Sequence, residues 1–193
     1  YGGFPGHNCF SVNEELIHGI PSKKKILKEG DILSCDIVAE LNGFMGDNTK
    51  TFAIGRVSDD AQRLMKATEE ALYKGIEQAV VGHRLGDIGH AVQQHCERHG
   101  YGVVREFVGH GIGHEMHEDP QVPNYGNQGT GKQLKNGLCI AIEPMITMGS
   151  HELAMLDDRW GVITRDGKPA AHFEHTIAIH HGKADIMSSF KEI

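Results

Sequence analysis

The 193-residue chain contains no run of about 18 apolar residues, so no segment of it reads as a membrane-spanning helix. It is also poor in positive charge. Lysine and arginine total 19 against 26 aspartates and glutamates, a net of −7, which argues against general affinity for nucleic acid or an anionic membrane. Cysteine is scattered: Cys9, Cys35, Cys96 and Cys139 form no C-x-x-C pair, which favours a reducing, cytoplasmic compartment over a disulfide framework. No low-complexity tract occurs. An initiator methionine and a signal-peptide pattern are absent as well. The chain opens YGGFPGHNCF and reads like the middle of a protein, so this lack bears little on compartment. What is abundant is glycine, at 25, and histidine, at 14. The glycines point to many turns; the histidine count alone establishes no metal site. The length suits one domain, residues 1–193, with a sizeable core.

Local patterns order the chain. Residues 31–54 read as a β-hairpin, with strand-forming Ile32, Ile37, Val38, Phe44, Phe52 and Ile54 around an Asn42-Gly43 turn. Residues 58–80 read as an amphipathic helix. Ser58 caps it, Asp59 and Asp60 suit its first turn, and Leu64, Ala67, Ala71, Leu72, Ile76, Ala79 and Val80 recur at helical spacing. A second helix is expected over about 86–99, ending at Gly100. Strands are expected near 102–109, 138–147, 152–156, 160–165 and 171–180, a loop over 118–131, and a turn at Asp166-Gly167. This order gives a single α+β domain with an antiparallel or mixed sheet.

Four carboxylates and one imidazole stand out: Asp36 in SCDIVAE, Asp47 in GFMGDNTKTF, His110 in FVGHGIGHEMHEDP, Glu143 in IAIEPM and Glu174 in AHFEHTIAI. Four negative charges balance two divalent cations, and cations sharing bridging carboxylates can activate a water near neutral pH. The hairpin brings two of these residues together. A two-residue turn at 42–43 pairs 41 with 44, so Asp47 faces Val38 and Asp36 faces Thr49. Asp36 and Val38 share a face. The two aspartates are thus diagonal neighbours at roughly 5–8 Å, a repulsive arrangement unless cations intervene. A solvated acidic hairpin face is the alternative. Glu143 and Glu174 lie in apolar strands, where a carboxylate must be paired or bound to metal. Pro144 implies that the first of these strands ends or bends there. An ion pair with Lys or Arg would also explain Glu143. His110 is framed by Gly109, Gly111 and Gly113, which allow close backbone approach, although a structural glycine turn would look the same.

Other motifs fall away. Gly126–Lys132 matches G-x-x-x-x-G-K, but Gln133 stands where a P-loop has Ser or Thr and no strand precedes it. His114-Glu115-Met116-His117 is one residue short of a zincin motif, and His151-Glu152 lacks a following His. His172, His175, His180 and His181 lack the spacing of a closed zinc site.

The segments SVNEELIHGIP, CDIVAELNGFMGDNTKTF, GHGIGHEMHEDPQVPNY, IAIEPM and FEHTIAI together resemble the type I methionine aminopeptidases, enzymes of the pita-bread fold, in which an antiparallel sheet is flanked by helices. The resemblance covers nearly all 193 residues but not the N-terminal helices that usually precede Tyr1. Type II members insert a helical subdomain between the last two glutamate ligands; Glu143 and Glu174 are only 31 positions apart, which leaves no room for one.

The resemblance implies a role for each residue. Asp36 chelates one metal, His110 and Glu143 hold the other, and Asp47 and Glu174 bridge both. Glu143 also shuttles the proton. His117 contacts the scissile peptide, and His18 lies near its amide nitrogen. Tyr1, Phe4, Cys9, Met145 and Trp160 line a pocket for the methionine side chain, with Met116 where some members carry Phe. Sulfur packs well on rings, so aromatic, Cys and Met walls suit a thioether. The implied cofactor is a pair of divalent ions, Co, Mn, Fe or Zn. The implied reaction is removal of N-terminal methionine from peptides and nascent chains by metal-activated water. The enzyme is expected to be a cytoplasmic monomer near the ribosome, with no nucleic-acid or membrane binding of its own. An Xaa-Pro exopeptidase of the same fold and a non-catalytic binding protein of that fold are the alternatives.

Overall fold

The computed structural model describes residues 2–189. Among the described residues, fourteen strands and two helices follow in order. They are β1 (Cys9–Val12), β2 (Glu15–Ile17), β3 (Ile32–Leu41), β4 (Phe44–Ala53), α1 (Asp59–Glu77), α2 (Leu85–Arg98), β5 (Gly102–Val103), β6 (Gly109–Gly111) and β7 (Glu118–Val122). Then come β8 (Cys139–Ile142), β9 (Met145–Thr147), β10 (Leu153–Met155), β11 (Val162–Thr164), β12 (Ala170–His172), β13 (His175–His180) and β14 (Lys183–Ile186). Four antiparallel sheets result, ordered β1-β3-β4, β10-β11-β2, β12-β9-β5 and β14-β13-β8-β6-β7.

The hairpin and both helices form where the sequence places them. Asn42 and Gly43 both take positive φ, 53° and 79°, the conformation that matches the right-handed twist of the flanking strands. Ser58 accepts a hydrogen bond from the Ala61 amide at 3.1 Å, and Asp59 and Asp60 follow it at the positive end of α1. Asp87 accepts from the Arg84 amide at 2.7 Å to start α2, and Gly100 just beyond its end has φ of 79°. The apolar faces of α1 and α2 pack through Leu64, Leu72, Ile88 and Val92 against Ile140, Ile142, Ile146 and Ile177, in one buried cluster. A smaller cluster joins Leu16, Ile17, Val104, Met145, Val162 and Ala170.

Three expectations need correction. The strand expected over 102–109 is only β5 and the start of β6. The loop expected over 118–131 begins with β7, an edge strand of the five-stranded sheet; Pro120 lies within it, a position that an edge strand tolerates because it need not donate on both sides. The strand expected over 171–180 is broken in two, into β12 and β13, while that over 138–147 parts into β8 and β9 at the break that Pro144 implied.

Those breaks position the site. β8 and β13 belong to the five-stranded sheet, while β9 and β12 belong to another. His175 pairs with Ile142 and His172 pairs with Met145, so the crossings at Glu143-Pro144 and Phe173-Glu174 lie opposite one another. Each crossing carries one glutamate. Hydroxyls then tie β4 across this point. Thr51 donates to the His172 carbonyl at 2.8 Å and accepts from the His172 amide at 3.0 Å. Thr176 accepts from the Asp47 amide and donates to the Asp47 carbonyl, both at 2.9 Å.

Candidate metal centre

The hairpin register is the one read from the turn: Asp36 faces Thr49 and Val38 faces Asp47. Asp36 and Asp47 therefore share the face of β3–β4 that looks onto the crossings. β6, between β7 and β8, supplies His110. Its flanking glycines are a packing requirement: a Cβ on Gly109 would lie 2.3 Å from the Ala141 carbonyl oxygen, and one on Gly111 would lie 2.3 Å from that of Asp119.

The five residues meet along one cleft of about 440 Å³. Ligand atoms of Asp47, His110 and Glu174, all three buried, lie within 4.8 Å of one another. The His110 Nε2 is 3.7 Å from Asp47 Oδ2 and 3.5 Å from Glu143 Oε1. The neutral ring, with Nδ1 donating to the Gly111 carbonyl at 2.9 Å, turns an Nε2 lone pair toward those carboxylates. Thr49 donates to Glu174 Oε2 at 2.7 Å, while Glu174 Oε1 and Asp47 Oδ1 are buried and accept no hydrogen bond. Oxygen and nitrogen donors converging on one buried point are a donor set for cations, and the O,N chemistry suits divalent transition metals. The residues present fit the metal centre that the sequence implies.

Electrostatics reflect the crowding. Burial pushes the Asp47 carboxyl up to about 8, and the charges of Asp36 and Glu143 add to the effect. Burial first and Asp36 second raise Glu143 well above the carboxylate range. Glu174 is raised by burial and then by Asp47, Glu143 and Asp36. Burial lowers the pKa values of His18, His110 and His117 and so favours their neutral forms. The Cys9 thiol is pushed up to about 12 by burial, with Asp36 and Asp47 contributing; at neutral pH it is an uncharged wall rather than a nucleophile.

His18, His117, Phe4, Cys9, Met116 and Trp160 line the same cleft. The His117 and His110 rings are 4.3 Å apart. Phe4 meets Trp160 edge-on at 5.3 Å, which makes an aromatic wall. Met145 is a correction. Its side chain is fully buried in the smaller core cluster and does not line the cleft. Tyr1 lies outside the described residues. Phe107, Met45 and His172 also line the cleft and were not singled out as site residues by sequence. The signal for His172 was available: it lies two positions before Glu174, the spacing of one strand face.

Comparison with known proteins fixes the class. The model of the metallopeptidase family M24 matches residues 1–181, and the chain belongs to that family. Methionine aminopeptidase from Clostridium acetobutylicum is 53% identical over 188 residues, which cover 97% of this chain and 75% of that one. Methionine aminopeptidase 1 from Bacillus subtilis is 52% identical over the same shares. The crystal structure of the Thermotoga maritima methionine aminopeptidase superposes with a TM-score of 0.95 at 46% identity, covering 96% of this chain and 75% of that one. Prolidases share the fold alone, at 20–23% identity and TM-scores of 0.73–0.75. Within the pita-bread metallopeptidases the chain is therefore an aminopeptidase of the methionine-specific group.

Proposed function

We propose that this enzyme removes N-terminal methionine from peptides and nascent proteins using two divalent cations. The observation that carries this is the convergence of Asp36, Asp47, His110, Glu143 and Glu174 on one cleft, where the His110 Nε2 faces carboxylate oxygens of Asp47 and Glu143 and Asp47 Oδ1 and Glu174 Oε1 are buried without a hydrogen-bond partner. Asp36 would hold one cation, His110 and Glu143 the other, with Asp47 and Glu174 between them. When bound, such ions supply a water activated near neutral pH and a Lewis acid for the peptide carbonyl. Their identity is assigned to the group Co, Mn, Fe and Zn on ligand chemistry.

The chain's own groups complete the reaction. Glu143 takes the proton released by the attacking water and passes it to the leaving amine. His117, held neutral by burial, donates to the carbonyl oxygen as negative charge grows there. His18, on the same cleft, orients the amide nitrogen. Phe4, Trp160, Cys9 and Met116 receive the thioether, whose polarisable sulfur favours ring edges. We further assign the enzyme to the cytoplasm, as a monomeric single catalytic domain acting on chains that emerge from the ribosome. Four unpaired cysteines support that compartment. The net charge of −7 opposes nucleic-acid binding of its own, and among the described residues no helix is long and apolar enough to cross a membrane.

The test is release of methionine from a Met-Ala-Ser peptide, scanned over Mn, Co, Fe and Zn, beside an Ala-Pro peptide. Methionine release that depends on added metal is expected. Faster cleavage of Ala-Pro, or no binding of any of the four ions, would refute the reading.

A further inference from the structure

One buried polar side chain at the site has no part in the reaction above. His172 ends β12, immediately before the crossing that carries Glu174. It is 2% exposed, and both of its ring nitrogens are buried without a hydrogen-bond partner. Its backbone is fixed on both sides, by pairing with Met145 and by the Thr51 hydroxyl, which bonds both its amide and its carbonyl. Burial in a packed interior in turn leaves the ring little freedom to turn elsewhere. Its Nε2 stands 3.5 Å from Glu143 Oε2, while the other oxygen of the same carboxylate, Oε1, stands 3.5 Å from His110 Nε2. Glu143 thus lies between two imidazoles with different tasks: His110 offers a lone pair to the metal position, and His172 has an N–H with no other acceptor.

We propose that His172 is a positioning residue: its Nε2–H donates to Glu143 Oε2 and so turns Oε1 toward the metal position beside His110. A contraction of about 0.5 Å brings the pair into ordinary hydrogen-bond range. Partners that hold a ligating carboxylate in this way set its orientation and its basicity. The proposal rests on the reading of Glu143 as ligand and proton carrier, and the test separates the two.

Two variants and one spectroscopic measurement decide it. His172→Gln keeps an N–H donor of similar reach; His172→Leu keeps the volume and removes the donor. His172→Leu is expected to lose about 10–100-fold in kcat or in Mn(II) affinity by isothermal titration, with KM little changed, while His172→Gln stays close to wild type. Histidine-labelled protein loaded with Zn(II) should show the Nε2–H tautomer of His172 in ¹⁵N–¹H correlation spectra. Wild-type kcat and Mn(II) affinity in His172→Leu would overturn the proposal. So would an equal loss in His172→Gln, or an Nδ1–H tautomer in the wild type. The spectrum of the wild type decides even if His172→Leu does not fold. An active Glu143→Gln variant would overturn the underlying reading of Glu143; an inactive Glu143→Gln beside a fully active His172→Leu would overturn the positioning role alone.

Discussion

Gly109→Ala adds one methyl group outside the cleft and should nonetheless disable it. The new Cβ would lie 2.3 Å from the Ala141 carbonyl oxygen and 3.2 Å from both the Val122 Cβ and the Val122 carbonyl oxygen. The closest of these atoms is backbone of β8, which is itself held by β13, so β6 must give way. Restoring an ordinary carbon–oxygen contact of about 3.3 Å requires a retreat of roughly 1 Å, since packed interiors do not absorb such overlaps. His110 is the next residue, and its Nε2 sits 3.5 Å from Glu143 and 3.7 Å from Asp47. A shift of about 1 Å in a catalytic constellation costs on the order of 100-fold in rate. Overpacking should cost about 1–3 kcal/mol of stability, which for a chain of this length lowers Tm by roughly 2–12 °C. The assays are kcat/KM on Met-Ala-Ser, Mn(II) titration and thermal melting by circular dichroism. Gly46→Ala is the control: it lies beside Asp47, yet its Cβ would meet no atom within 4 Å, and it should keep turnover within about twofold, as surface changes usually do. Wild-type turnover and metal affinity in Gly109→Ala would refute the argument that the glycines seat His110.

The proposed metal ligands give a starker result: His110→Ala and Glu143→Gln should each lose at least about 100-fold in methionine release while retaining a folded circular dichroism spectrum, and full turnover by either would defeat the assignment. Metal should also stabilise the fold, by about 2.7 kcal/mol at a hundredfold excess over Kd, or roughly 5–11 °C in Tm; scanning calorimetry with Mn(II), Co(II), Fe(II) and Zn(II), reversed by a chelator, checks this, and no shift with any ion would count against the site. A third prediction concerns acid. The Asp87 carboxylate accepts from the Gly129 amide at 2.8 Å and the Arg84 amide at 2.7 Å, and the Gly129 bond above all holds its pKa below the ordinary 3.8. A depressed folded pKa contributes stability that is present above the unfolded value and lost as pH falls through the folded one. Asp87→Asn should therefore melt below wild type at pH 7, with the gap closing under pH 3.8; a gap that persists in acid would show that the carboxylate's charge is not what secures this helix start.

Legibility in the sequence followed how local each signal was. Asn42-Gly43 fixes a register through turn chemistry alone, and period-two arithmetic then brings Asp36 and Asp47 to one face. Ser58, the two following aspartates and the 3.6-residue apolar repeat marked α1 for the same reason. Glu143 and Glu174 were conspicuous as charges inside apolar runs. That the strands carrying them break side by side was not legible, because the pairing of 142 with 175 and of 145 with 172 is a long-range property. Pro144 announced one break, and nothing in Phe173-Glu174 announced the other. β7 was hidden by its proline, and β1, β2 and β14, at three or four residues each, are too short to show a period. Met145 was placed on the pocket wall by the resemblance, whereas its side chain is buried in the smaller core cluster.

Breaking both strands at one level solves a problem that the proposed ligand set creates. Like charges brought together in a poorly solvated cleft repel, and the raised pKa values of Asp47, Glu143 and Glu174 record that cost. A lysine or arginine placed among them would relieve the repulsion, but it would also occupy the position meant for a cation. The groups that brace the cluster are instead hydroxyls and imidazoles. Thr49 bonds Glu174 directly, Thr176 and Thr51 tie β4 to the strands on either side of the crossing, and His110 and His172 flank Glu143. Hydroxyls hold geometry without adding charge. Imidazoles kept neutral by burial can offer a lone pair or an N–H without competing as cations. The centre is held open by neutral groups, and that leaves the balancing of its charge to the metal.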